Sequence, residues 1–354
     1  MTPLPREGDS VVEMGRGGKA ASDYRSAMGE MELQPVTGPD LAALCAIQNR
    51  AEAFDGVLRV TTIEELAENL DDERVVFATD TRVACIAGST GIAGYAYTYH
   101  LPSDVVAGRC YVFGHVDPAW RGRGVGRALM AWGVDRATEQ LRAAGGDLAR
   151  YVRVESFETM TSAHRLFERM GFTPIRWFED LLRPLVDLPA LTTPPGVSIV
   201  PWPDEAEGRD EEIRTVKNLA FADHWGSAPA NPDDWRVMVH GFGSRLDLSR
   251  VAVDDATGQI IGHCLNRRFE SDDVLLGRRE GWIDSLGTLS AWRGRGVASA
   301  LISAALHAFA ADGLSHAAIT VDSENPSGAA RLYRSLGFEL HQRTMSHQIE
   351  VPAT

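Results

Sequence analysis

Two copies of one short stretch carry residue types that suit phosphate binding. The second copy is Trp292-Arg293-Gly294-Arg295-Gly296-Val297-Ala298, and the first, 172 residues earlier, is Trp120-Arg121-Gly122-Arg123-Gly124-Val125-Gly126. Glycines let the backbone turn sharply and approach a ligand closely, and arginine supplies fixed positive charge. If a helix follows, its N-terminus favours an anion. Each copy predicts a diphosphate-binding turn, with an ordinary glycine-rich turn as the alternative.

The elements around each copy predict strand, turn and helix. An extended apolar run, Gly281 to Leu289, precedes the second copy, and a helix-forming run follows to about Ala311. A second repeated segment follows each copy: residues 165–172 are similar in sequence to residues 331–338. The chain is therefore interpreted as a tandem duplication of one fold. Each half predicts a mixed α/β domain with a central sheet.

The composition of the chain changes at two places. Residues 1–30 are polar and glycine-rich without an apolar period, which predicts a disordered extension. Four prolines between residues 184 and 196 interrupt regular structure and stiffen a connection. We therefore expect a first domain over residues 31–189 and a second over residues 190–354.

Composition narrows the functional class. The 354 residues include 44% apolar residues, enough to fill two cores. No apolar run predicts a transmembrane helix or a secretion signal. The four cysteines lack metal-binding spacing and fit a reduced cytoplasm. A net charge of −14 argues against nucleic-acid binding and is compatible with cationic amine substrates or with a merely acidic surface. We expect a cytoplasmic monomer or homodimer without metal, nucleic-acid or membrane partners.

The motifs resemble those of the GNAT superfamily of acetyl-CoA-dependent N-acetyltransferases. Its pyrophosphate loop, Arg/Gln-x-x-Gly-x-Gly/Ala, matches both glycine turns, and its later Leu-Tyr-x-x-x-Gly-Phe matches residues 332–338. The resemblance covers roughly residues 31–350 and implies two tandem GNAT domains with acetyl-CoA as co-substrate. It implies cofactor contacts at both turns, at the strand residues Leu286, Gly287 and Thr288, and at Asn325. Asn325 is equally compatible with a helix cap.

The resemblance implies that Tyr333 is the general acid. A phenol with a pKa near ~10 is protonated at neutral pH and can donate to a departing thiolate. Core packing is the alternative for a tyrosine in this motif. The first half has Phe167 at the matching place, which has no proton to give, and Thr159 where the second half has Asn325.

A general base must deprotonate the incoming amine, directly or through water. Asp284 lies within the strand before the second turn, where a carboxylate is unusual unless it is paired or functional. The first half has Val112 there. His224, in a loop between two predicted helices, is the second candidate, although a lone loop histidine is more often a surface residue. Asp223 and Trp225 are expected to shape the acceptor pocket.

These observations predict an enzyme that acetylates a primary amine of a small molecule, such as an antibiotic or a metabolite. The chemistry is expected in the second domain, with the first domain non-catalytic. The tandem arrangement also resembles that of the mycothiol synthases, for which the acceptor is a cysteinyl pseudo-disaccharide. A regulatory protein that binds acetyl-CoA without catalysis, and an enzyme acting on a protein N-terminus, are further alternatives.

Overall fold

The computed structural model of the chain describes residues 31–70, 75–88, 91–101, 106–204, 208–324 and 328–352. The predicted extension over residues 1–30 lies outside the described residues. In the part described, no helix is long and apolar enough to cross a bilayer.

The first half, residues 31–184, follows the predicted alternation. Its strands are β1 Met31–Gln34, β2 Thr81–Ile86, β3 Ile92–Leu101, β4 Gly108–Val116, β5 Arg150–Phe157 and β6 Thr173–Pro184. Its helices are α1 Leu41–Phe54, α2 Ile63–Leu70, α3 Phe77–Asp80, α4 Val125–Ala143 and α5 Thr161–Arg169.

The second half, residues 197–352, repeats this order. Its strands are β7 Val197–Pro201, β8 Arg250–Asp254, β9 Ile260–Arg267, β10 Glu280–Thr288, β11 His316–Asp322 and β12 Glu339–Val351. Its helices are α6 Asp210–Ala220, α7 Pro232–His240, α8 Asp273–Leu276, α9 Val297–Ala311 and α10 Ala329–Ser335.

The strands of both halves form a single sheet, because the halves exchange their last strands. Among the described residues the order is β1-β2-β3-β4-β5-β12-β6-β11-β10-β9-β8-β7. Strand β12 of the second half pairs with β5 over residues 344–351, and β6 of the first half pairs with β11 over residues 178–184. Each half therefore supplies a strand that the other half needs, and the sheet fixes the two halves side by side.

One segment departs from its sequence pattern. The run from Arg74 to Ala78 contains Val75, Val76 and Phe77 and predicts a strand, but the chain forms the short helix α3 from Phe77. The Asp80 carboxylate accepts a hydrogen bond from the Val76 amide at 2.9 Å, which closes one helical turn. A local side-chain hydrogen bond of this kind competes with strand pairing. Arg74 lies outside the described residues.

The helix that follows each glycine turn packs its apolar face on the sheet. In the second half this helix is α9, whose Leu301, Leu306 and Phe309 are fully buried among strand residues such as Ile283. Replacing one such leucine with alanine costs about 2–5 kcal/mol of stability. The start of α9, and hence the glycine turn before it, is held rigidly against β10.

Candidate active site

At the candidate site, strand β10 stops pairing with its neighbour β11. It pairs with β11 from Glu280 to Ile283 and with β9 as far as Thr288. From residue 284 to residue 288 its edge facing β11 has no ladder partner among the described residues. Backbone N–H and C=O groups freed in this way need partners from elsewhere. Leu286, Gly287 and Thr288, which the family resemblance assigned to the cofactor, lie in this stretch.

A β-bulge distinguishes β10 from its counterpart in the first half. The pairing of β10 with β9 shifts register between Ile283 and Ser285, so that Asp284 is the extra residue. Strand β4 pairs with β3 from Arg109 to Val116 without a shift. A bulge leaves a backbone group unpaired and re-aims a side chain. Asp284 thereby points out of the sheet, while Ser285 is buried.

The two glycine turns have the same backbone conformation. Gly294 and Gly296 have φ of 73° and 88°, and helix α9 begins directly after them at Val297. Gly122 and Gly124 have φ of 75° and 86° before α4. This left-handed conformation favours glycine. Each helix begins directly after its turn, and a helix N-terminus favours an anion, so the diphosphate site at these turns stays a prediction.

The two arginines of the second turn lie in different surroundings. Arg293 donates to both Asp223 carboxylate oxygens, at 2.6 and 3.0 Å, and to the Ala220 carbonyl at 2.7 Å. It therefore ties the turn to the end of α6. Arg295 instead lies over the Trp292 ring, with its guanidinium carbon 5.1 Å from the ring centre.

The first turn repeats this arrangement. Arg121 donates to both Asp55 carboxylate oxygens, at 2.7 and 2.9 Å, and Arg123 lies over Trp120 at 4.9 Å. Asp223, which the sequence interpretation gave to the acceptor pocket, thus pairs with Arg293, and this ion pair corresponds to the pair between Asp55 and Arg121 at the first turn. Its bonds to Arg293 lower the pKa of the Asp223 carboxyl.

Tyr333 lies on α10 against the core of the second half. It is 7% exposed, and its ring meets Phe338 edge-on at 6.2 Å between centres. Burial raises its pKa well above the usual value, and Cys264 adds to this effect. Burial thus favours the protonated phenol, which is already the main form at neutral pH and carries a proton that it can donate. Phe167, its counterpart, packs against Phe172 at 6.0 Å.

A cavity of about 370 Å³ opens beside the bulge of β10. Both halves line it, with Tyr111, Glu155, Phe178, Lys217, Phe221, His224, Trp225, Gly226, Ser227, Ala228, Met238, Asp284 and Ser285. Its size is typical of small-molecule sites. Three predicted residues, Asp284, His224 and Trp225, meet here. A larger depression of about 590 Å³ lies at the far end of β4 and holds none of the predicted residues.

The predicted residues differ in how they are held in the cavity. The Asp284 carboxylate lies 3.2 Å from Arg267 Nε, and its side chain is 35% exposed. His224 Nδ1 lies 3.0 Å from the Trp225 carbonyl oxygen. The Trp225 ring carries the guanidinium groups of Arg153 and Arg176, at 4.5 and 5.0 Å. Its ring therefore binds cations of the protein, and Trp225 shapes the cavity by packing.

Several cavity residues were not found from the sequence. Glu155 comes from β5 of the first half, and burial raises its pKa while Arg153 lowers it. Ser285 Oγ lies 2.9 Å from Nε2 of the fully buried His263, whose pKa falls to about 3 through burial and the nearby Lys217. Lys217 had a readable signal, since it occupies a position in the apolar stripe of α6. Glu155 had none, because only the strand exchange brings it here. Asn325 lies outside the described residues.

Known proteins of similar sequence and structure match nearly the whole chain. The profile of the Acetyltransferase (GNAT) family matches residues 212–338, and a second Acetyltransferase (GNAT) domain profile matches residues 71–174. The mycothiol acetyltransferase of Tsukamurella paurometabola is 30% identical over 247 residues, which are 66% of this chain and 75% of that protein. That of Frankia alni is 27% identical, over 91% of this chain and 96% of that protein.

Solved structures agree with the tandem architecture. A GCN5-related N-acetyltransferase from Sphaerobacter thermophilus superposes with a TM-score of 0.73 at 25% identity, covering 92% of this chain and 97% of that one. A tandem GNAT protein from the clavulanic acid biosynthesis pathway superposes with a TM-score of 0.65 at 20% identity, covering 92% of this chain and all of that one. The second likeness shows the fold alone.

Proposed function

Because the chain belongs to the GNAT family of acetyltransferases, we propose that its second half transfers an acetyl group from acetyl-CoA to a primary amine of a small molecule. The observation that carries this proposal is the meeting, at one bulged strand, of the Asp284 carboxylate, the open cavity and the unpaired edge of β10. The first half lacks both the bulge and the carboxylate. We place the boundary between the two domains in the proline-rich connection near residue 190.

The residues present fit acetyl-CoA. The amides at the start of α9 and the guanidinium of Arg295 suit its diphosphate. The unpaired edge from residue 284 to residue 288 offers backbone donors and acceptors to its pantetheine amides. When bound, acetyl-CoA supplies the acetyl group as an activated thioester.

The protein residues then divide the proton transfers. Asp284 accepts a proton from the incoming ammonium, directly or through water, so that the amine becomes a nucleophile. Its position at the cavity and its residual exposure support this role. Tyr333, whose phenol is protonated at neutral pH, donates a proton to the leaving thiolate. His224 remains the second candidate for the base, since it lines the same cavity.

A second candidate acceptor follows from the relatives. The curated relatives that cover most of the chain are named mycothiol acetyltransferases, which supports a cysteinyl pseudo-disaccharide as the acceptor. Residues of both halves line the cavity, and this leaves room for an extended acceptor.

The experiment is release of free CoA thiol from acetyl-CoA with a panel of small amines, including the cysteinyl pseudo-disaccharide. We expect saturable turnover with at least one amine and a mass increase of one acetyl group on that amine. Tight CoA binding without turnover on any amine, the pseudo-disaccharide included, would contradict the proposal. Turnover on the pseudo-disaccharide alone would select the second candidate.

A further inference from the structure

Lys217 is a charged residue in the otherwise apolar buried stripe of α6. It lies on the buried face of α6 with Ile213, Val216 and Ala220, and it is 6% exposed. The sequence contains two lysines, Lys19 and Lys217, among 35 basic residues, and Lys217 is the one that the structure describes. Lysine is almost never fully buried unless it is paired. A buried lysine in a chain that otherwise uses arginine therefore needs an explanation.

The Lys217 ammonium has weak partners within the described part of the protein. Its Nζ donates to the Ala228 carbonyl at 3.4 Å and lies 5.8 Å from the centre of the Phe221 ring, and it forms no ion pair with a described residue. The cavity carboxylates have other cations beside them, since Asp284 pairs with Arg267 and Glu155 lies near Arg153. An ammonium has three donors, so Lys217 can offer donors to the cavity that it lines.

The pKa of Lys217 indicates that the protein compensates its positive charge only in part. Burial lowers the pKa of Lys217, and Asp234 raises it by a smaller amount. The neighbouring His263 is held neutral, so it does not share the charge. A buried cation of this kind is stabilised when a ligand brings an anion to it.

The first half shows that the fold itself does not require lysine here. Gln48 holds the equivalent position on α1, in the buried stripe with Leu44, Ile47 and Ala51. Its amide donates to Glu52 at 3.1 Å and to Thr61 at 2.8 Å, and it accepts from the Tyr95 hydroxyl at 2.7 Å. The same position is thus satisfied internally in one half and open to a cavity in the other.

We propose that Lys217 binds an anionic group of the acceptor, so that the acceptor is a small amine that also carries a carboxylate. The inference rests on the proposed acetyl transfer in this cavity. The amine end of the acceptor faces the carboxylates Asp284 and Glu155, and the carboxylate end faces Lys217. One ammonium suits a monoanion, whereas a phosphate is usually held by several donors.

The test uses a series of linear amino acids, from glycine to 6-aminohexanoate, each compared with its amide. The full chain and the variants Lys217→Gln and Lys217→Arg are assayed with acetyl-CoA. Lys217→Gln copies the residue of the first half, so it keeps a polar donor and removes only the charge. The amides have less basic amines and are intrinsically better nucleophiles at neutral pH. A preference for the acids must therefore come from binding.

We expect the wild-type chain to have a kcat/KM for at least one acid that exceeds that of its amide by about ten-fold or more, as for a charge-assisted contact. Lys217→Gln should abolish this preference by raising KM for the acid, with the amide changed less than about two-fold. Lys217→Arg should keep part of the preference. The length of the preferred acid reports the distance between the two subsites.

Three results would overturn the inference while leaving acetyl transfer intact. The first is equal use of acids and amides, or turnover of other amines but of no member of the series. The second is an equal loss for acids and amides in Lys217→Gln, which indicates a structural role. The third is acetylation of Lys217 itself, seen by mass spectrometry with Lys19 as the internal control. Absence of turnover on every amine tested contradicts the proposed function instead.

Discussion

The two halves have the same glycine turn, the same helix after it and an equivalent ion pair at the turn. They differ in the residues that lie beside the strand before the turn. In the second half the bulged β10 borders an open cavity. In the first half the regular β4 carries His115 where the second half has Gly287. His115 Nε2 lies 3.8 Å from the buried Glu52 carboxylate.

These side chains form a polar cluster in the first half. Burial lowers the pKa of His115 to about 3 and raises the pKa of Glu52. Gln48 joins Glu52 to the buried Tyr95 through hydrogen bonds. The same glycine turn therefore lies beside a polar cluster in one half and beside a cavity in the other. The turn alone therefore does not identify the catalytic half.

The largest effect is expected at Tyr333. Tyr333→Phe removes one hydroxyl and should lower kcat by about 10²–10⁴-fold, because a positioned acid is lost. Binding of acetyl-CoA should change little. The matched change Phe167→Tyr should leave kcat unaltered, since its half lacks the bulge and the strand carboxylate. Steady-state kinetics on both variants measure this, and wild-type turnover in Tyr333→Phe would exclude the tyrosine as the acid.

A somewhat smaller effect is expected at the base. Asp284→Asn keeps the size of the side chain but accepts no proton, and kcat should fall by about 10²-fold. Val112→Asp, the reciprocal change in the first half, should add no activity, because β4 is not bulged. The measurement is the pH profile of kcat/KM. If His224→Ala removes the low-pH limb and Asp284→Asn does not, the base is His224.

The next largest effect is expected at Arg295, the arginine of the second turn that stacks on Trp292. Arg295→Ala should raise KM for acetyl-CoA, corresponding to a loss of about 1.5–3 kcal/mol for a charge-assisted contact. Arg123→Ala should leave KM unchanged, because we place no reaction at the first turn. Both arginines stack on a tryptophan in the same way, so they form a matched pair. An equal rise in KM for the two variants would show that both turns serve the reaction.

The smallest effect concerns a hydrogen bond between the two halves. The Asp272 carboxylate accepts from the Val60 amide at 2.6 Å, and burial raises its pKa to about 6 from 3.8. The folded protein therefore binds a proton more tightly than the unfolded chain. The contribution of Asp272 to stability is highest below pH ~4 and falls as pH rises to ~6.

Asp272→Asn keeps an acceptor oxygen without the charge. It should raise the free energy of unfolding at pH 7.5 more than at pH 4.5, as measured by urea denaturation. Asp233→Asn, at an exposed side chain, is the control and should show no such difference. A gain of the same size at both pH values would mean that ionisation of Asp272 is not involved.

The sequence predicted the elements well, because the repeated strand–turn–helix pattern is local. The predicted strand from Gly281 to Leu289 is β10, Glu280–Thr288, and the predicted helix to about Ala311 is α9, Val297–Ala311. The exchange of β6 and β12 could not be predicted, since strand partners are set by long-range packing and not by the local pattern.

The same limit applies to the site. The glycine turns were visible as a repeated motif, and Asp284 and Tyr333 as positions at which the two copies differ. The pairing of Arg293 with Asp223 was not visible, because it joins residues 70 positions apart. The cavity residues Tyr111 and Glu155 belong to the other half and reach the cavity only through the joined sheet. Lys217 was visible as a charge in an apolar stripe and was missed.

The central claim is that acetyl transfer takes place in the second half, and the two turn glycines test it most directly. Gly296 and Gly124 begin α9 and α4 with φ of 88° and 86°. A valine is equally strained at either position, since a β-branched residue rarely adopts positive φ. Steady-state turnover of Gly296→Val and Gly124→Val should be compared after circular dichroism has shown that both are folded. We expect Gly296→Val to lose turnover and Gly124→Val to keep it, and the reverse result would contradict acetyl transfer in the second half.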